Sequence, residues 1–184
     1  IKNAGDYEAA LEKASVIANR ETRRAEILKQ VTALALACDL RLKTDDYLLE
    51  EVTGLVEWPV VLMGAIDKNY MDLPPEVLIC VMRTHQKYFA LVPAPSGRGQ
   101  GEGTHNQNSP HPYPLPEVAG VISANFLLVS NITTEDGGKA IIAGNERVLR
   151  ARLADGRFFW DTDRKKKLED WAKGLESVTY HAKL

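Results

Sequence analysis

The sequence predicts an α+β fold, and three observations carry that prediction. Segments with apolar residues at helical spacing alternate with short β-branched runs such as 59–66; the apolar runs are strand-sized; and Pro, Gly, Asn and Asp clusters separate them. At 184 residues, with 45% hydrophobic and 26% charged residues, the chain suits one globular domain with its own core, and composition excludes disordered, collagen-like and disulfide-scaffold classes.

Residues 4–36 predict two helices, as an antiparallel pair or one long bent helix. Tyr7, Leu11, Ala14 and Ala18 keep helical spacing, and Ile27, Val31, Leu34 and Ala35 do so after the charged stretch 20–26. Residues 39–43 break the pattern. Thr44 before Asp45 and Asp46 then marks a helix start, with carboxylates near the positive dipole end, and this third helix ends near Val56. Residues 59–66 predict a buried strand closed by the turn Asp67-Lys68-Asn69. Leu73-Pro74-Pro75-Glu76 opens a helix with proline in its first turn, directing Val77, Leu78, Val81 and Met82 inward. Strands follow at 87–92 and within 118–129. Tyr88 and Phe89 are expected to point one inward and one outward.

Between those strands, 93–117 is a Pro/Gly/Asn/Ser insert whose composition buries too little apolar area to offset an ordering entropy of roughly 1–2 kcal/mol per residue. A disordered insert without function is expected, with a polyproline-type docking site as the alternative. Past it, Leu149, Leu153 and Trp160 fall on one helical stripe beside Arg147, Arg150, Arg152 and Arg157, and Phe158, Phe159 and Trp160 are expected as core anchors. The division is thus 1–43 as a helical lead-in, 44–134 as an α+β module, and 135–184 as a basic, aromatic helical segment.

Charge is unevenly placed. The net charge of −2 argues against bulk electrostatic coating of nucleic acid, yet residues 139–167 hold nine Lys and Arg against four acids. Arg147, Arg150, Arg152, Arg164, Lys165, Lys166 and Lys167 therefore form either an RNA-backbone surface or an interdomain salt-bridge seam, Glu146 and Asp155 being interleaved among them. His85 and Lys87, at a helix end, suit either the carbonyl pole of that helix or a contact with phosphate or a neighbouring domain. Cys38 and Cys80 are expected as buried reduced thiols.

No catalytic constellation is expected. The spaced glycines 97–103 lack the strand and helix that make a phosphate loop, and His105 and His111 stand without a ligand cluster, so no metal is assigned. Thr84, His85 and Asn131 are the polar candidates for a hydrolytic site, at spacings that do not predict assembly. No membrane span or signal peptide is read. The first residue is Ile1, and a piece of a longer polypeptide is expected.

Four co-linear motifs carry a resemblance. The runs Leu48-Leu49-Glu50-Glu51-Val52-Thr53-Gly54-Leu55-Val56-Glu57-Trp58-Pro59-Val60, Thr84-His85-Gln86-Lys87-Tyr88-Phe89, Val129-Ser130-Asn131-Ile132 and Gly144-Asn145-Glu146-Arg147-Val148-Leu149-Arg150-Ala151-Arg152-Leu153-Ala154-Asp155 resemble the beta subunit of bacterial-type heterotetrameric glycyl-tRNA synthetase, and the likeness continues from Trp160 to Asp170. The resemblance implies a mixed sheet packed with helices, like the editing-type domain of the phenylalanyl enzyme's beta subunit. It implies a cytoplasmic, non-catalytic segment that positions tRNA-Gly and scaffolds the ligase. The alpha subunit would hold ATP, Mg and glycine, so no cofactor is expected here. The implied partners are the alpha subunit, the remaining beta-chain domains and tRNA-Gly, with neither DNA nor membrane. The alternatives are a purely structural connector and a hydrolytic editing-like module. The family has a short hairpin turn where this chain carries its insert.

Overall fold

A computed structural model describes residues 3–94 and 121–179. Most of the insert 93–117 lies outside the described residues. After a 3-10 turn the chain forms α1 (Tyr7–Lys13), α2 (Arg20–Leu36), β1 (Leu40–Leu42), α3 (Asp46–Leu55) and β2 (Val60–Ala65). A 3-10 turn at Lys68–Tyr70 leads to α4 (Pro75–Gln86), β3 (Phe89–Pro93), β4 (Asn125–Ser130), α5 (Lys139–Asp163) and α6 (Leu168–Gly174), and a last 3-10 turn follows at Leu175–Ser177. None of the helices among the described residues is long and apolar enough to cross a membrane.

Local chemistry sets these boundaries. Asn19 accepts from the Thr22 amide at 2.9 Å to start α2, and Asp45 accepts from the Leu48 amide at 2.9 Å to start α3. Pro75 opens α4. That helix ends where Lys87 turns left-handed at φ 58° and Tyr88 donates its amide to the Met82 carbonyl at 3.1 Å, which frees the chain to leave as β3.

Among the described residues four strands lie in the order β1-β3-β4-β2, and each of their pairings is antiparallel. The fold is α+β as expected, but the sheet is wholly antiparallel rather than mixed. Alternation along the strands feeds two cores. Val61, Phe89, Leu91 and Leu127 meet Ile27, Val31 and Ala35 of α2 and Leu48, Leu49 and Val52 of α3. On the opposite face, Ala90, Phe126 and Leu128 meet Leu78 and Met82 of α4 and Leu149 and Leu153 of α5. Residues of α2 thus share a core with residues of α3 and the sheet.

Three further expectations are corrected. Residues 39–43, expected only to break a helix, contain β1, paired with β3 through Leu40↔Pro93, Arg41↔Val92 and Leu42↔Leu91. Tyr88 and Phe89 are both buried, because helices cover both faces of the sheet. Cys38 and Cys80 are exposed free thiols, each sitting on the outer side of its segment.

Edge strand β2 is shielded by side chains. Gln30 of α2 accepts from the Val61 amide at 2.9 Å and donates to the Pro59 carbonyl at 3.0 Å, while Glu146 of α5 accepts from the Ala65 amide at 2.8 Å. Occupied amides are poor templates for an added strand.

Candidate nucleic-acid interface on the long helix

Helix α5 organises the candidate site. Its start is built by Thr134, Asp136 and two left-handed glycines, Gly137 and Gly138, at φ 66° and 84°. Asp136 accepts from the Gly138 amide at 3.0 Å and the Ala140 amide at 2.8 Å; the Thr134 hydroxyl first, then these amides, hold its carboxyl below the usual range. A Cβ on Gly138 would stand 2.7 Å from Leu62 Cδ2, so both backbone angle and space require glycine.

The inward stripe of α5 runs through Ile141, Asn145, Leu149, Leu153 and Trp160. Asn145 accepts from the buried Tyr88 hydroxyl at 2.6 Å and donates to the Ile141 carbonyl at 2.7 Å. Burial pushes the Tyr88 phenol up to about 12. At Gly156 a Cβ would meet Val81 Cγ2 at 3.1 Å, so α4 and α5 approach closely there.

The arginines divide into two sets. Arg150 pairs with Asp67 at 2.9 Å. Two turns on, Arg157 grips both carboxylate oxygens of Asp72, donates to the Asn69 carbonyl at 2.7 Å and lies 5.4 Å from the Tyr70 ring centre. Together they staple α5 to the 67–72 turn. The Arg157 guanidinium holds the Asp72 carboxyl below the usual range. Arg152 has only Asp155 at 3.8 Å, and Arg147 is exposed with no ion pair among the described residues.

At the far end, Arg164, Lys165, Lys166 and Lys167 make the turn between α5 and α6. Arg164 lies 5.7 Å from the Trp160 ring centre and Lys166 lies 4.7 Å from that of Trp171. These aromatic contacts orient two of the cations without neutralising them. Lys165 and Lys167 are exposed and carry no ion pair among the described residues.

His85 and Lys87 do not join this turn. Tyr88 meets Asn145 near the start of α5, and the 19 residues from there to Arg164 span roughly 28 Å of helix. Lys87 pairs with Glu51 at 2.7 Å and donates to the Thr84 carbonyl at 3.0 Å, and His85 is exposed on the last turn of α4. The three polar candidates for hydrolysis have separate surroundings: Asn131 accepts from the Glu57 and Trp58 amides at 2.7 and 2.8 Å, and Thr84 lies 3.7 Å from the Cys80 sulfur. Phe158 and Phe159, expected as core anchors, are instead 64% and 61% exposed, because they lie off the Leu149–Leu153–Trp160 stripe of the helix; Trp160 alone of the three is drawn against the core. Sequence spacing missed Asp67, Asn69 and Asp72 as the arginines' partners, since they lie more than eighty residues away and read as a turn. A groove of about 530 Å³ elsewhere, between α1, the start of α2 and Trp58, is lined by Glu8, Glu12 and Glu26, so its charge opposes phosphate.

The sequence model of the glycyl-tRNA synthetase beta subunit matches residues 1–184, the whole chain. The chain belongs to that family. Among relatives of this chain, the glycine–tRNA ligase beta subunit of Rhodospirillum centenum is 48% identical over 179 residues, covering 97% of this chain and 22% of the relative. Its counterpart from Phenylobacterium zucineum is 43% identical over 184 residues, covering 100% of this chain and 24% of the relative. The chain therefore spans less than a quarter of the length of these beta subunits.

Proposed function

We propose that this chain is a non-catalytic segment of a cytoplasmic glycine–tRNA ligase, supporting ATP-dependent glycylation of tRNA-Gly by positioning the tRNA and bracing the beta subunit. In this reading the alpha subunit carries ATP, Mg, glycine and the chemistry, and the remaining beta-chain domains complete the assembly. The observation that carries the tRNA contact is the turn 164–167, where four consecutive cations project and no carboxylate pairs Lys165 or Lys167 among the described residues. Cations left unneutralised at a protrusion are the groups that exchange counterions for phosphates. Arg147 joins them by the same criterion.

The connector reading is favoured for a different part of the same helix. Arg150 on Asp67 and Arg157 on Asp72 are ties within this segment, so they brace α5 against the 67–72 turn and are left out of the proposed RNA surface. Kinship of the sheet with the editing-type domain of the phenylalanyl enzyme's beta subunit rests on sequence resemblance. It predicts that the order β1-β3-β4-β2 superposes on that domain's sheet; a different strand order there contradicts it.

The test is glycylation by the full ligase, alpha and beta subunits together, after Lys165, Lys166 and Lys167 are replaced by Ala. The expected result is a KM for tRNA-Gly raised about tenfold with glycine activation unchanged, because in this reading that chemistry belongs to the alpha subunit. An unchanged KM for tRNA contradicts the proposal.

A further inference from the structure

We infer that the apolar stripe of α6, together with the Phe158–Phe159 pair, is a docking surface for another part of the same beta chain. Leu168 and Trp171 of α6 are 83% and 39% exposed, and Leu175 and Val178, in and just after the 3-10 turn that follows, are 67% and 57% exposed. Phe158 and Phe159 sit edge to face, with ring centres 5.5 Å apart, on the adjoining end of α5. Apolar side chains gathered this way mark an interaction site rather than scattered surface residues.

The length of α6 gives the same answer independently. It has seven residues and buries none of them. Helices shorter than about 12 residues are marginal in water and take their stability from tertiary packing, so α6 needs a partner face that residues 3–94 and 121–167 do not supply.

Composition selects protein over nucleic acid as the occupant. Leu168, Leu175 and Val178 offer no ring on which a base stacks, and the three rings of the surface are already engaged, Phe158 and Phe159 with each other and Trp171 with a cation. Lys166 already stands over the Trp171 ring. Glu169, Asp170 and Glu176 flank the stripe against the single Lys173, so the field over α6 repels phosphate, unlike the turn before it. The occupant is identified by length: relatives that match this chain almost end to end carry more than three-quarters of their sequence outside the matched region. A covalently joined segment meets this face at high effective concentration, which a separate chain lacks. The inference rests on family membership and is independent of the tRNA contact proposed above.

The test places a photo-crosslinking benzoyl-phenylalanine at Phe159, Leu175 or Lys173 of the full-length beta chain, in the presence of alpha subunit and tRNA-Gly. From positions 159 and 175 the expected products are crosslinks within the same beta polypeptide, to peptides outside these 184 residues, and from Lys173, on the opposite side of α6, none. Crosslinks from 159 and 175 to tRNA, to the alpha subunit or to a second beta chain overturn the inference, as does their absence. Amide exchange in the unmodified full-length chain checks the same point without a bulky probe: slowed exchange across 168–178 is expected, and exchange at the rate of an unstructured peptide overturns it. Weaker tRNA binding on replacing Lys165 and Lys167, with Lys166 kept over Trp171, leaves both readouts unmoved, so the two proposals fail separately.

Discussion

Tyr88 shows how one side chain ties the sheet to the site helix. Its hydroxyl donates to Asn145 at 2.6 Å while its ring stacks on Phe126 with centres 4.6 Å apart. Tyr88→Phe leaves the Asn145 oxygen short of a donor, and the expected destabilisation is about 1–2 kcal/mol in urea unfolding. Burial raises the phenol to about 12 from an ordinary value near 10, so the fold holds this proton more tightly than the unfolded chain does. Stability from this group is therefore complete below about pH 10 and lost as pH rises through about 12. The difference in phenolate absorbance between wild type and Tyr88→Phe should place its titration there; titration near 10 contradicts the burial argument. Gly64 is the second residue fixed by this packing. A Cβ there would lie 2.6 Å from Phe126 Cζ, and that ring is backed by Tyr88, so Gly64→Ala is expected to cost about 1–3 kcal/mol through overpacking. Little of this is legible in sequence, where Gly64 reads as a small residue in an apolar strand and nothing marks the ring opposite it.

At the scale of elements, legibility follows the strength of local signals. Helix α4 is marked by Pro75 and by Leu78 and Met82, both fully buried, and α3 by Asp45, which caps it. Strand β1 is hidden because three residues centred on Arg41 give no alternation long enough to detect. The sheet's wholly antiparallel pairing is likewise invisible, since it is set by which strands meet rather than by any strand's own pattern. Asn131 belongs here: it joins the end of α3 to β2 by accepting from two successive amides, Glu57 and Trp58, from the far end of β4. Because those amides are near solvent, water replaces part of what the substitution removes, and Asn131→Ala is expected to cost about 0.5–1.5 kcal/mol. Hydrogen exchange should show the loosening confined to 56–60; loosening spread over the whole sheet contradicts this role.

For the molecule as a whole, the cationic run is legible in the sequence and its division is not. Nine cations between 139 and 167 are plain, but which of them are already committed depends on Asp67 and Asp72, brought to α5 only by folding. The same holds for Phe158 and Phe159, whose exposure follows from which face of α5 the sheet and α4 cover. What results is a helix–sheet–helix body whose longest helix is stapled along its middle and leads into the cationic 164–167 turn. The central claim is that this turn meets tRNA. The most direct measurement is the salt dependence of tRNA-Gly binding by the full ligase, with and without replacement of Lys165, Lys166 and Lys167 by Ala. Every lysine–phosphate pairing that the replacement removes should flatten the slope of log affinity against log salt by about 0.7–0.9, giving a change of roughly 2–3 if all three lysines touch the backbone. An identical slope and affinity in the two enzymes would contradict the account and leave the segment as a connector.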